Sequence, residues 1–159
     1  MRAMNLLEPL AVRIGRLKWM PKALPVIVRL DRLMVWLTRG RVPLLRLAGL
    51  PKVYLTVKGR KSGIPRTTPL LYAPYQGKIL IAGSFWGNPK LPVWVLNLRA
   101  AGEGEVVVRG RRHRVTAREV TGDERAELWK VLNATWPNYD HYASRTDRLI
   151  PVFELTPVA

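Results

Sequence analysis

The run Val53-Tyr54-Leu55-Thr56-Val57-Lys58-Gly59-Arg60-Lys61-Ser62-Gly63-Ile64-Pro65-Arg66-Thr67-Thr68-Pro69-Leu70 constrains this chain more than any other stretch. Val53, Leu55 and Val57 alternate with polar or amphipathic neighbours, the period of a half-buried strand. Gly59 and Gly63 bracket a turn and permit backbone conformations closed to other residues. The spacing therefore predicts strand, tight basic turn, strand. Lys58, Arg60, Lys61 and Arg66 place four cations within nine residues, and Ser62 adds a hydroxyl. Such a turn suits a phosphate or a chain of carboxylates, because charge-assisted hydrogen bonds and a concave backbone act together. The same residues would also serve as an ordinary solvated hairpin loop.

The charge of the whole chain favours an anionic partner. At 159 residues there is room for one domain with a sizeable core, and the formal net charge is +16. No Asp or Glu occurs between Asp31 and Glu103. Nucleic acid, an anionic membrane surface and a polyanionic cofactor all satisfy that imbalance. Cysteine is absent, which excludes disulfides, thiolate metal sites and a cysteine nucleophile and fits a cytoplasmic compartment.

Residues 1–50 read as a basic amphipathic helical leader. Met4 to Met20 forms a short helix carrying Arg13, Arg16 and Lys18, and Pro21 and Pro25 break it. A second helix starts at Pro25, runs to about Thr38 and ends at Gly40, with Ile27, Leu30, Met34 and Leu37 on one stripe. That stripe suits packing on the domain or on a second subunit. The cations and Trp19 suit the surface of an anionic membrane, on the inner face of the cell membrane. No uninterrupted apolar run approaches the roughly 18 to 20 residues of a membrane span, and no signal peptide is expected.

Residues 51–159 read as a β-rich domain. Strands are predicted at Val53–Val57, Arg66–Tyr72, Lys78–Gly83, Glu105–Arg109, Arg112–Val120 and Arg148–Leu155. Pro69 marks the second as an edge or a bulge. Ser84 to Pro92 is a loop, Pro92 opens a helix over Val93–Ala101, and Gly102 stops it. Thr121 and Glu124 form a capping box for a helix to about Ala134, which Trp136-Pro137-Asn138-Tyr139 ends. The fold class is mainly β with helices (α+β), a small antiparallel barrel with helices over its openings.

The chain carries little catalytic equipment of its own. His113 sits among arginines, His141 lies between Tyr139 and Tyr142, and no Cys/His cluster or spaced carboxylate pair is present, so no metal is expected. A chain with an anion-binding turn and no such machinery usually takes its chemistry from a cofactor.

Gly59-Arg60-Lys61-Ser62-Gly63-x-Pro65-Arg66-x-x-Pro69-Leu70 resembles the signature of the deazaflavin-dependent nitroreductase family. Ile81-Ala82-Gly83-Ser84 looks like that family's strand-end serine segment, and Pro92-x-Trp94-x-Leu96-Asn97-Leu98 like its short-helix motif. Trp136-Pro137-x-Tyr139-x-x-Tyr142 and Thr146-Asp147-Arg148-x-Ile150-Pro151 resemble its C-terminal pair. Five motifs in order, from about Pro51 to Pro157, make the resemblance specific.

The resemblance implies a split β-barrel, FMN-binding-like, that binds coenzyme F-420, an 8-hydroxy-5-deazaflavin with a phosphate and an oligoglutamate tail. It implies an oxidoreductase that passes hydride to quinones, activated enones or nitro compounds. By the same resemblance, Arg60, Lys61 and Ser62 contact the tail and phosphate. Arg66, Thr67, Thr68, Pro69, Leu70 and Leu71 form the strand beside the cofactor. Ala82, Gly83, Ser84 and Phe85 hold the ring edge through backbone N–H groups. Val93, Trp94, Val95, Leu96 and Asn97 add the N–H groups of a helix start. Tyr139 and Tyr142 lie over the ring and are the candidate proton donors. Where nitro-activating relatives carry Lys after the serine, this chain has Phe85-Trp86, so a flat, apolar, quinone-like acceptor is expected ahead of nitro compounds. The competing readings are binding of deazaflavin, flavin or haem at a membrane surface without turnover, and a nucleic-acid module. The clustering of cations in a glycine-bracketed turn, not along a helix face, disfavours nucleic acid.

Overall fold

The computed structural model describes residues 50–158 and, ahead of them, Arg13, Ile14, Leu17, Trp19, Lys22, Val26 and Arg29. The chain divides into two compact units, Met1–Leu50 and Pro51–Ala159. In the first, Arg13, Ile14, Lys22, Val26 and Arg29 are helical. Lys22 stands three residues ahead of the helix start expected at Pro25. Ile14, Leu17, Trp19 and Val26 are exposed. The expected apolar stripe of Ile27, Leu30, Met34 and Leu37 lies outside the described residues.

The second unit is built on seven antiparallel strands. These are β1 (Lys52–Lys58), β2 (Pro65–Leu71), β3 (Ala73–Tyr75), β4 (Lys78–Ala82), β5 (Glu103–Val108), β6 (Arg111–Val120) and β7 (Val152–Pro157). They pair in the order β2-β1-β5-β6-β7-β4-β3. β2 and β3 are neighbours in sequence yet stand at opposite edges of the sheet, joined through Tyr72. β2 packs beside β4 with no ladder between them. The sheet thus curls into a barrel that stays open along one seam, the split β-barrel expected. Pro69 and Pro65 are tolerated because β2 is an edge strand.

The alternation read in β1 holds: Val53, Leu55 and Val57 point into the barrel with Ile79, Ile81, Val106, Val115, Phe153 and Leu155. Helix α1 (Val93–Ala101) adds Trp94, Val95 and Leu98 to that cluster. Three such side chains contribute roughly 1.5–3 kcal/mol each, which anchors α1 against the barrel. Helix α2 (Gly122–Thr135) packs on the outer face of β3, β4 and β7 through Leu128 and Leu132. β4 is consequently buried on both faces.

Four local expectations change. The run Ala73–Tyr75 forms a strand, since a three-residue segment is too short to show a period. Asn138–Ala143 is a further helix, α3, where only a helix end was expected. The last strand starts at Val152, not Arg148. The capping box does not form: Thr121 makes no side-chain cap on α2, and both carboxylate oxygens of Glu124, which would accept from the Thr121 N–H, accept from Arg118 instead at 2.7 and 2.8 Å. A charge-assisted fork outcompetes a neutral backbone N–H for the same carboxylate.

Candidate functional site

The β1–β2 turn is held from inside and open outside. Gly59 N–H donates to the Ile64 carbonyl at 2.9 Å and Gly63 N–H to the Gly59 carbonyl at 2.7 Å. A Cβ on Gly59 would stand 2.7 Å from Ser62 Oγ. Lys58, Arg60, Lys61, Ser62 and Arg66 are all exposed. Among the described residues none of the four cations pairs with a carboxylate. Their field is therefore available to a ligand.

Asn97 ties this turn to α1. Its Oδ1 accepts from the Arg60 backbone N–H at 3.1 Å and from Arg60 Nη1 at 3.4 Å, and the residue is 3% exposed. The structure thus makes Asn97 an internal strut whose acceptor is already engaged. Further along α1, Trp94 packs on Phe153 with ring centroids 5.9 Å apart, and Val95 is fully buried. At the helix start Pro92 offers no side-chain cap and no acid stands in the first turn. Val93 is exposed there, and the Val95 N–H already donates to the Pro92 carbonyl at 3.1 Å, which leaves the positive end of the helix with fewer free N–H groups than expected but still favourable to an anion.

On β2, register divides the six residues singled out. Arg66, Thr68 and Leu70 stand opposite Val57, Leu55 and Val53 and share their inward face. Thr67, Pro69 and Leu71 take the outer face, where Thr67 and Thr56 join hydroxyls at 2.7 Å. A strand cannot present consecutive side chains to one ligand.

The end of β4 carries the most constrained backbone. Gly83 N–H donates to the Pro151 carbonyl at 2.9 Å, and a Cβ on Gly83 would lie 2.7 Å from Val95 Cγ2. Ser84 is right-handed, and then Phe85, Trp86 and Gly87 all have positive φ, at 45°, 53° and 77°. Left-handed backbone at two bulky residues costs of order 1–3 kcal/mol each. Gly87 closes a 3-10 turn over Phe85–Gly87 directly against the Tyr142 carbonyl of α3 and Arg145 just beyond that helix. Phe85 remains 38% exposed.

Arg148 is a residue of this region to which the sequence assigned no role. Its Nε donates to the Asn88 carbonyl and its Nη2 to the Ser84 carbonyl, both at 2.8 Å. Nη1 is buried without a partner, and desolvation pulls the guanidinium below its ordinary value. No periodicity or spacing marks a side chain that binds carbonyls 60 and 64 positions earlier.

Both candidate tyrosines are buried on α3, Tyr139 at 4% and Tyr142 at 3% exposure, edge-on to each other. Tyr139 also packs on Trp129. Burial, and secondarily the neighbouring Tyr142, push the Tyr139 hydroxyl well above the usual tyrosine range, so it stays protonated at neutral pH. Burial raises Tyr142 too, opposed by hydrogen bonds from Trp136 and Asn138. His141 is exposed and meets Arg145 at 2.8 Å. Asp140 clamps α3 to α2, accepting from Trp129 Nε1 at 2.7 Å and from Asn133.

These contacts bring the separate motifs to one end of the barrel. Arg60 meets Asn97, Val95 meets Gly83, and Gly87 meets Tyr142. A cavity of about 360 Å³ lies at the other end, between the Gln76-Gly77 and Arg109-Gly110 turns and beside Tyr72. β1 fixes that placement, because Val108 pairs with Val53 while the basic turn follows Lys58. Among the described residues no group of His, Asp or Glu could hold a metal.

Residues 24–157 match the family model described as F420H(2)-dependent quinone reductase. An F420H(2)-dependent quinone reductase of Mycobacterium tuberculosis (strain ATCC 25618 / H37Rv) is 36% identical over 143 residues, covering 87% of this chain and 96% of that protein. A solved F420-H2 dependent reductase (FDR-A) is 39% identical, with a TM-score of 0.62 over 66% of this chain and 93% of its own. A further solved relative, described as a domain-swapped dimer, is 36% identical, with a TM-score of 0.63 over 82% of this chain and 96% of its own.

Proposed function

The chain belongs to the F420H(2)-dependent quinone reductase family, and on that premise we propose that it is an oxidoreductase that uses reduced coenzyme F-420 to reduce quinones. The observation that carries the reading is the set of four exposed cations without acidic partners, strutted by Asn97 to the helix that abuts Gly83. That donor set fits a phosphate and an oligoglutamate tail. When bound, the reduced deazaflavin supplies a hydride.

The chain's own residues do the rest. Arg60, Lys61, Ser62 and Arg66 bind the tail and phosphate. The backbone N–H groups after Ala82 hold the ring edge, and Thr68 and Leu70 share the inward face of the strand alongside. Tyr139 holds a proton: its ring is locked by Trp129 and Tyr142, and its hydroxyl has no hydrogen-bond partner among the described residues. Tyr142 is the second candidate, already engaged by Trp136 and Asn138. The apolar pair Phe85-Trp86, with rings 5.9 Å apart, favours a flat quinone over a nitro compound, whose polar group would be stranded away from donors. Enones and nitro compounds are the slower acceptors in this reading.

No helix among the described residues is long and apolar enough to cross a membrane. The exposed Trp19 and the exposed cations Arg13, Lys22 and Arg29 support peripheral contact of residues 1–40 with an anionic membrane surface. Co-sedimentation with anionic liposomes, lost at high salt, tests this, and equal sedimentation of a chain lacking residues 1–20 would remove the leader as the cause.

The function is tested by titrating the protein with coenzyme F-420 and following its fluorescence, then supplying the reduced form with menadione. Tight, salt-sensitive binding with quinone turnover is expected. Binding without reduction of any quinone, enone or nitro compound would leave a protein that only holds the cofactor.

A further inference from the structure

The strained turn after β4 needs something to hold it, and Arg148 is placed to do so. The backbone N–H groups of Ser84, Phe85 and Trp86 have no partner among the described residues, whereas those of Gly83, Gly87 and Asn88 are all engaged. Three successive free N–H groups across a right-handed to left-handed step form a concave donor cluster. Arg148 approaches from the carbonyl side, gripping the turn at its first and last residues, Ser84 and Asn88. Among the described residues it pairs with no carboxylate: the half-buried guanidinium is held by these two carbonyls, with Nη1 buried and unpartnered. Such a grip costs more than an exposed ion pair, and a surface loop without a task would not need it. It also acts electronically: the Ser84 carbonyl and the Phe85 N–H belong to one peptide unit. A cation on the oxygen makes that N–H a stronger donor.

From this we propose that Arg148 is a positioning residue for the electron-transfer site: it holds Ser84–Asn88 in its left-handed shape and polarises the Phe85 N–H toward the edge of the cofactor ring. The inference rests on the ring lying at this turn. It separates ring recognition, controlled by Arg148, from tail recognition, controlled by the β1–β2 turn.

Two probes distinguish the two: coenzyme F-420 itself, and its 8-hydroxy-5-deazaflavin ring with the ribityl chain but neither phosphate nor glutamates. Arg148→Lys keeps the charge and loses the fork. It should weaken both probes by the same factor, on the order of tenfold, as two hydrogen bonds are disturbed. Lys61→Ala should weaken only the complete cofactor. Urea denaturation establishes that each variant is folded. Hydrogen exchange on the wild-type protein gives an answer independent of any variant: the Ser84, Phe85 and Trp86 amides should slow when the tail-less ring binds. Unchanged affinity of folded Arg148→Lys for the tail-less ring, or no slowing of those amides, overturns the inference while leaving the cofactor assignment standing. Wild-type protein that binds neither probe removes the cofactor assignment and this inference with it.

Discussion

The β1–β2 turn and the turn after β4 stand at the same end of the barrel and are built on opposite terms. The first is exposed, carries four cations and is anchored by one buried amide, Asn97. The second carries no charge of its own, runs through three positive φ angles and is gripped by Arg148 and by the body of α3. A flexible polyanion is caught by a field, which tolerates loose geometry but weakens with salt. A rigid ring is oriented by fixed backbone donors, which ignore salt but fail with small displacements.

Glycine replacement breaks the comparison most sharply. Gly87→Ala would push a methyl into the Tyr142 carbonyl and the Arg145 Cβ at a left-handed position. We expect about 3 kcal/mol or more of lost stability by urea denaturation, from strain and overpacking together. Gly59→Ala meets chiefly the movable Ser62 Oγ and should cost nearer 1 kcal/mol. Equal losses would mean the two turns are equally rigid.

Next in size is the proton. Tyr139→Phe keeps the packing on Trp129 and Tyr142 and removes only the hydroxyl. Steady-state kinetics with a quinone should show the turnover rate falling by roughly 10²-fold, with a smaller change in KM. An unaltered turnover rate transfers the role to Tyr142 or water.

The basic turn is probed at Lys61. Lys61→Ala should weaken cofactor binding by roughly 1.5–3 kcal/mol at low salt, and the difference from wild type should shrink as salt is raised. A salt-independent difference would show that Lys61 acts by geometry. Asn97→Ala should weaken binding by about 1 kcal/mol, through a loosened turn, with the loss equal at all salt concentrations.

The smallest expected effect comes from an ion-pair cluster outside both turns and serves as their reference. Glu154 is 4% exposed and accepts from Lys78 at 3.0 Å and Arg118 at 2.9 Å. Burial by itself would raise its carboxyl, but those two hydrogen bonds hold it below the usual glutamate range. A folded-state pKa below the unfolded one makes the contribution complete above the unfolded value, about 4.3, and lost as pH falls through the lower folded value. Glu154→Gln should therefore flatten the acid limb of stability measured by urea midpoints from pH 5 downward. A steeper limb in Glu154→Gln would reverse the sign assigned here.

Much of this was legible along the chain. β1, the basic turn, the edge character of β2, the Pro92-to-Gly102 helix and the Arg109-Gly110 hairpin each follow from signals within a few residues: alternation, proline at a helix start, glycine at a left-handed position. Charge imbalance announced an anionic ligand for the same reason, since it is a sum over residues and needs no coordinates. Elements without a period, β3 and α3, were not legible, and neither was the competition that takes Glu124 from Thr121 and gives it to Arg118. Tertiary structure alone decided that Asn97 is a strut, that only alternate residues of Arg66 to Leu71 face inward, and that Arg148 grips Ser84 and Asn88. The strut and the grip join residues 37 to 64 positions apart, and which distant groups meet is set by the closure of the sheet, a property of no local stretch.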